Sequence, residues 1–167
     1  CWHPNGKVAR VVNYKDGIED GAVTVFRADG TKELVRQYQA GKKHGKWTEW
    51  YSSGKKANEY MFKAGKKHGK NIGWHKNGKK AREGELKEGR PHGKWTYWHK
   101  NGQKQTEGEF KDGKPHGHFT NWYPNGQKES EGEYKDGEKE GRWTYWAFRD
   151  SIDNERSGIY KNGERVA

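Results

Sequence analysis

The sequence has little of what holds most small proteins together. One cysteine, Cys1, stands among 167 residues, which excludes an internal disulfide framework and a zinc site built from several cysteines. Only 28% of the residues are hydrophobic, and no run approaches the roughly 18 apolar residues of a membrane-spanning helix. No signal peptide with a charged start and an apolar middle is present. We therefore expect a soluble chain that folds without a thick core or a covalent crosslink.

Aromatic residues and glycine are abundant instead. The chain contains nine Trp, nine Tyr and 24 Gly. A charged fraction of 34% is typical of disordered proteins, but disordered segments have few aromatic residues. The composition therefore predicts a fold that is built around aromatic side chains.

The glycines recur with a period of 24 residues, which indicates a tandem repeat. A glycine opens each unit and another follows four residues later, as in Gly89 and Gly93. The full repeats are 17–40, 41–64, 65–88, 89–112 and 113–136. Residues 1–16 form a partial repeat, 137–162 an atypical last repeat with a two-residue insertion within Asp150 to Gly158, and 163–167 the start of a further one. We interpret residues 1–167 as a single repeat domain.

Two turn signals divide each repeat into short strands. Asn101-Gly102 is typical of the first series and Asp112-Gly113 of the second, and such pairs supply the positive φ that tight hairpins need. The runs between them, such as 94–98 and 106–110, have no helical period. The predicted fold is all-β: a single-layer antiparallel β-hairpin meander of about 13 strands, which forms an elongated, twisted ribbon.

An aromatic residue at the tenth position of each repeat suggests a ladder of rings. Alternation places Thr96 and Trp98 on one face of their strand, and Gly108 and Phe110 share a face of the next. Such glycines leave room for an indole from the adjoining strand; they are Gly84, Gly108 and Gly132. The tenth-position tryptophans mainly hold the sheet in this interpretation, and in the alternative they form an aromatic binding face; they are Trp50, Trp74, Trp98 and Trp122.

The positive charge is concentrated in the central repeats. Residues 41–64 carry six Lys against two acidic residues, and residues 65–88 carry eight Lys and Arg against three. The candidate basic edge lies in the second series of turns and consists of Lys42, Lys43, Lys66, Lys67 and Arg90. It is either a solvated rim that keeps the protein soluble or a site for an anionic partner. An acidic protein or a phospholipid surface fits such a site better than nucleic acid, because no nucleic-acid-binding signature is present.

Histidines recur at the fourth position, but their spacing argues against a metal site. The four are His44, His68, His92 and His116. Successive copies are two strands apart, roughly 9 to 10 Å, whereas ligands of one zinc ion approach it to about 2 Å. We interpret them as turn residues that satisfy local backbone groups. No serine stands in a nucleophile elbow, so we predict no enzymatic activity and no cofactor.

Two segments resemble the MORN repeat (membrane occupation and recognition nexus). They are Gly89-Arg90-Pro91-His92-Gly93-Lys94-Trp95-Thr96-Tyr97-Trp98 and Tyr123-Pro124-Asn125-Gly126-Gln127. The chain is most similar to the bacterial variant, whose members are often labelled antitoxin components, and the resemblance covers residues 1–163. It implies a single-layer hairpin ribbon that binds proteins or lipid headgroups. Asp20 and Glu140 depart from the pattern at the fourth position, and Val23 replaces the indole at the seventh.

Cys1 leaves two cellular locations open. Bacterial lipoproteins keep an N-terminal cysteine after signal cleavage, so Cys1 is a lipidation candidate that would place the protein in the cell envelope. An arbitrary start of the sequence is the alternative, and a cytoplasmic protein then remains open.

The leading function hypothesis is a non-catalytic scaffold that recognises a protein partner or an anionic membrane surface. The alternative is a cytoplasmic antitoxin that neutralises a toxin, which the gene neighbourhood would reveal. Residues 163–167 and the segment after Cys1 are complementary parts of one repeat, which would allow head-to-tail association. Glu164 and Arg165 lead us to favour a chain that does not associate in this way.

Overall fold

The computed structural model describes residues 1–148 and 151–167. The described chain contains strands, turns and bends and no helix. Two compact units are present: Cys1–Lys79 with Leu86–Gly89, and Lys80–Glu85 with Arg90–Ala167. Asp150, where the predicted insertion begins, lies outside the described residues.

The strands follow one another in chain order in an open antiparallel sheet. In the first unit they are β1 Arg10–Lys15, β2 Ile18–Phe26, β3 Lys32–Gln39, β4 Lys42–Lys43, β5 Gly45–Trp50, β6 Lys56–Lys63 and β7 Lys66–Trp74. Strand β8, Lys80–Lys87, contributes residues to both units. In the second unit they are β9 Arg90–Trp98, β10 Lys104–Lys111, β11 Lys114–Trp122, β12 Lys128–Lys135, β13 Glu138–Tyr145, β14 Gly158–Lys161 and β15 Glu164–Arg165. The predicted all-β hairpin meander is confirmed, and the two strands beyond the expected 13 are the two-residue β4 and β15.

The two series of turns differ in backbone conformation. In the second series both central residues have positive φ, as at Asp112 (51°) and Gly113 (89°), which is the geometry of a type I′ hairpin turn. In the first series only the glycine has positive φ, as at Gly102 (92°). There the Asn101 side-chain oxygen accepts the Gln103 N–H at 3.0 Å, an Asx-type contact. Asn101 therefore stabilises the turn through its side-chain acceptor and does not itself adopt positive φ.

Strand register and side-chain alternation place the aromatic rings on the two faces of the sheet. Gly117 at the fifth position has a φ of 76° inside β11, and the β10–β11 register shifts between Gly108 and Glu109. On the other side of β10, the Cα partner of Gly108 is Trp95 of β9. Because Trp98 lies three residues further along β9, it faces the opposite side of the sheet. The rings of the buried face therefore come from the seventh position of the repeat.

The glycines at the twentieth position accommodate these rings, as predicted. A Cβ at Gly108 would lie 2.5 Å from ring atoms of Phe119. Trp95 covers Gly84 and Trp143 covers Gly132 in the same manner. The expectation that the tenth-position indoles build this ladder is wrong, because the alternation of side chains places them on the other face.

Each unit has a small aromatic core of its own. In the first unit Trp47, Tyr60 and Phe62 are buried together. In the second unit Phe119 and Trp143 are buried, and Trp143 is only 1% exposed. The indole N–H of Trp143 donates to the Glu133 carbonyl at 3.0 Å, which satisfies the polar atom of a buried indole. A thin sheet thus obtains its core from rings that lie flat on the neighbouring strand.

Candidate functional site

The predicted basic edge of the first unit contains two kinds of lysine. Lys42 and Lys66, at the second position of their repeats, are exposed. Lys43 and Lys67, one residue later, lie over aromatic rings. The Lys43 ammonium is 5.1 Å from the Trp47 ring centroid, and the Lys67 ammonium is 4.1 Å from that of Tyr60. Cation–π contacts of this kind stabilise the core, so only Lys42 and Lys66 extend from the edge without a ring beneath them.

Arg90, the fifth residue of the predicted edge, belongs to the second unit. Its side chain is exposed at the start of β9. The residue that follows it is Pro91, and the corresponding residue of the next repeat is Pro115. Proline carries no charge, so the third position does not place a cation on the rings at β9 and β11. The cation–π contacts of Lys43 and Lys67 are therefore not repeated at β9 and β11, and they recur at β13, where Lys139 lies 4.9 Å from the Trp143 ring centroid.

Formal charge is divided unequally between the two units. The first unit carries 18 Lys and Arg against eight Asp and Glu. The second unit carries 16 against 15. Nearly all of the net charge of +11 thus belongs to the first unit. The positive electrostatic potential is therefore concentrated at the first unit.

A cleft of about 350 Å³ lies between two turns of the first unit. It is lined by Lys63, Ala64, Lys66, His68, Lys87 and Glu88. The Lys66 ammonium is 3.5 Å from the Glu88 carboxylate, and both side chains are largely exposed. Neither Lys63 nor Lys87 has an ion pair or a side-chain hydrogen bond within residues 1–148 and 151–167. The cleft is therefore a concave, basic part of the turn edge, and the sequence alone did not predict it.

The tenth-position tryptophans form a separate row with lysines. All four predicted residues are half-buried. The Lys56 ammonium lies 5.6 Å from the Trp74 ring centroid. The same contact recurs for Lys80 with Trp98, Lys104 with Trp122 and Lys128 with Trp146. Trp74, Trp98 and Trp122 thus pack against lysine side chains, so the predicted residues do not form a continuous apolar face.

Each of these lysines also pairs with a glutamate three residues later. Lys104 lies 2.8 Å from Glu107, and Lys94 lies 3.0 Å from the other oxygen of the same carboxylate. The hydrogen bond from Lys104 holds the pKa of Glu107 below its ordinary value, partial burial opposes this effect, and the bond from Lys94 adds to it. On this face each of these lysines is therefore paired with a carboxylate.

The structure does not bring the two predicted sets of site residues together. Lys66 is the first residue of β7 and Trp74 is the last. Nine extended residues separate their Cα atoms by roughly 27 Å. The basic edge and the tryptophan row are consequently two surfaces, and one small ligand cannot contact both.

A family model for the MORN repeat variant matches residues 1–16, 43–64, 91–112 and 115–136. The chain belongs to the MORN-repeat family. A search of curated proteins finds no match. Among solved structures, the chain is similar to a protein of unknown function from Bacteroides fragilis, with 9% identity, a TM-score of 0.15, and coverage of 93% of this chain and 94% of that one.

Two of the four fourth-position histidines, His92 and His116, do not behave as predicted. The Nδ1 atoms of His92 and His116 are buried without a hydrogen-bond partner, so these atoms do not satisfy backbone groups. An acidic residue at the same position does satisfy a backbone group. Asp20 accepts the Ala40 N–H at 3.0 Å, and Glu140 accepts the Asn162 N–H at 3.2 Å. No group of three or more His, Cys, Asp or Glu in the described ranges is arranged to hold a metal ion.

A row of donors at the eleventh position was missed by the sequence analysis. Tyr123 donates to the Trp146 carbonyl at 2.9 Å, and His99 Nε2 contacts the Trp122 carbonyl at 2.7 Å. The same link to the next MORN repeat is made by His3, Arg27 and Tyr51. The recurrence of a hydrogen-bond donor at the eleventh position of these repeats is the sequence signal that could have revealed this row.

Two observations bear on the membrane. Cys1 is an exposed free cysteine, and its backbone carbonyl accepts the Ala9 N–H at 3.0 Å. Across the part of the chain that the structure describes, no helix has the length and apolar character needed to cross a bilayer.

Proposed function

We propose that the chain is a non-catalytic scaffold that binds an acidic protein partner through the basic turn edge of its first unit. The observation that carries the proposal is the unequal division of charge: 18 basic against eight acidic side chains in the first unit, and 16 against 15 in the second. A lysine rim that served solubility alone would be expected along the whole series of turns.

Lys42 and Lys66 are the residues to change first. They are exposed and do not lie over rings, so a loss of binding would not follow from a damaged core. The double substitution Lys42→Ser and Lys66→Ser should weaken capture of the native partner in a quantitative pull-down. Increasing salt should weaken it as well, because exposed charges are screened.

The matched control changes two exposed lysines of the second unit, Lys111→Ser and Lys135→Ser, and should leave capture unchanged. An equal loss in both variants would show that only total charge matters. Binding to vesicles that contain phosphatidylserine, without capture of a protein, would contradict the proposal and support a membrane surface instead. Mass spectrometry of the Cys1 peptide for acyl chains tests the envelope address, which stays a prediction.

A further inference from the structure

The cleft of the first unit combines concavity with a surplus of cations. Lys63, Lys66 and Lys87 line it together with Glu88, so three lysines stand against one glutamate and two positive charges remain. His68 is exposed at the same cleft. The volume of about 350 Å³ accommodates a small anionic group, since ligand pockets begin at roughly 300 Å³.

We propose that this cleft binds a phosphorylated side chain of the protein partner. A phosphomonoester carries about −1.5 to −2 charge at pH 7 and offers three acceptor oxygens. The surplus of two cations matches that charge more closely than it matches a single carboxylate. Lysine ammonium groups are effective point charges for phosphate. The inference rests on the proposed function, because it names the chemistry that the basic edge would recognise.

The last position of the repeat distinguishes this cleft from the equivalent turns of the second unit. Ala64 occupies the last position of its repeat, where the second unit has Asp112 and Asp136. Those aspartates place a negative charge in the equivalent turns, next to Lys111 and Lys135. Ala64 contributes no charge, and it holds a φ of 49°, a conformation in which Asp and Asn are more at ease than Ala. The alanine thus keeps the cleft cationic, although it makes the turn less stable than Asp or Asn would.

This difference supplies a sharp pair of variants. Ala64→Asp adds the acid of the second unit, and Ala64→Asn adds a neutral side chain of the same shape; both suit the positive φ. The full chain would be titrated at low salt with a phosphoserine peptide whose other residues are uncharged, and with its serine counterpart. Binding would be followed by the NMR signals of the Gly65, His68 and Lys87 amides.

We expect the phosphopeptide to shift these signals and the serine peptide to leave them unchanged. Ala64→Asp should weaken binding about five- to tenfold, because an added charge at the cleft opposes the phosphate. Ala64→Asn should bind like the unaltered chain, and Glu88→Gln should bind several-fold more tightly. These results together would support the proposal.

Several results would overturn it. These are equal binding of the two peptides, equal behaviour of the Asp and Asn variants, or shifts confined to residues outside the cleft. Binding of inorganic phosphate without the peptide would assign the cleft to the free anion, and binding only to vesicles with phosphorylated inositol headgroups would assign it to lipid. If Ala64→Asp still captures the partner that the Lys42 and Lys66 variant loses, the cleft inference fails while the proposed function stands. If the phosphopeptide binds as expected but capture is insensitive to those lysines, the proposed function fails instead.

Discussion

Trp95 and Trp98 lie three residues apart in β9 and have different environments. Trp95 is 4% exposed, covers Gly84, and donates its indole N–H to the Glu85 carbonyl at 3.0 Å. Trp98 is half-buried and has the Lys80 ammonium 5.7 Å from its ring centroid. Truncation of Trp95 should therefore destabilise the fold more than truncation of Trp98.

Trp95→Ala should lower the free energy of unfolding by about 3 to 5 kcal/mol, as for other large buried aromatics. Trp98→Ala should cost only about 1 to 2 kcal/mol, because part of its surface already contacts water. Urea unfolding followed by circular dichroism measures both. An equal loss for the two variants would contradict the assignment of the core to the seventh position.

Glu107 connects two lysines on the opposite face, and its pKa is lowered chiefly by the hydrogen bond from Lys104. A carboxylate with a folded-state pKa below its unfolded value stabilises the fold at pH above the unfolded value of about 4.3. That contribution is lost as pH falls through the folded pKa.

Glu107→Gln should therefore reduce stability at pH 7 by less than about 1 kcal/mol, as befits a pair near the surface. The difference from the unaltered chain should disappear as the pH falls through the folded-state pKa of Glu107. Thermal unfolding from pH 3 to pH 7 measures it. A difference that stayed constant across this range would show that the side chain acts through packing rather than charge. Glu109→Gln is the control, because Glu109 forms no ion pair with a described residue.

At the scale of the hairpin, hydrogen bonds from one repeat to the next reinforce the sheet. Tyr123→Phe removes the bond to the Trp146 carbonyl and keeps the ring contact with Phe148, whose centroid is 5.4 Å away. The loss should be about 1 kcal/mol. Hydrogen exchange at the β11 and β13 amides, together with urea unfolding, measures it.

Tyr14→Phe provides the comparison for this experiment. Tyr14 is 62% exposed and makes no side-chain hydrogen bond to a described residue, so the change should leave stability unaltered. Equal effects at Tyr14 and Tyr123 would mean that the link between repeats contributes nothing.

Much of the element structure could be predicted from the sequence because its signals are local. The Asn-Gly and Asp-Gly pairs specify turns, and the period of 24 residues locates the hairpins of residues 17–136. The burial of particular rings could not be predicted by counting alternate residues. Alternation places Trp98 with Thr96, but it does not show which face of β9 lies against the glycines of the neighbouring strands. Gly93 and Gly117 adopt positive φ inside strands, and the register shift beside Gly108 sets the pairing that brings Phe119 onto that glycine.

The candidate site was predicted in part, for a similar reason. The excess of lysine in residues 41–88 is visible in the sequence, and Lys42 and Lys66 do extend from the turn edge. The position of Lys43 and Lys67 over rings depends on contacts between neighbouring strands, which composition does not reveal. The cleft beside Ala64 depends on two consecutive turns, so it also required the structure.

For the whole molecule, we expect the 167-residue chain to be a monomer. A net charge of +11 opposes association of identical copies. Exposed apolar residues such as Trp2, Tyr14, Phe148 and Ile152 favour it, but they are scattered among charged side chains. Light scattering across a range of concentration measures the mass, for the full chain and for one that lacks residues 163–167. A mass that rises with concentration in the full chain alone would support head-to-tail association.

The donor at the eleventh position has a consequence for how such a chain changes in length. The donors differ, being His, Arg or Tyr, but each acceptor is a main-chain carbonyl 23 residues further along. A main-chain acceptor is present whatever side chain the next repeat carries. Excision or duplication of 24 residues in register within residues 17–136 would therefore leave each of these donors a carbonyl to bond. This link between repeats does not depend on the side chains of the next repeat, so a change in the number of copies would preserve it.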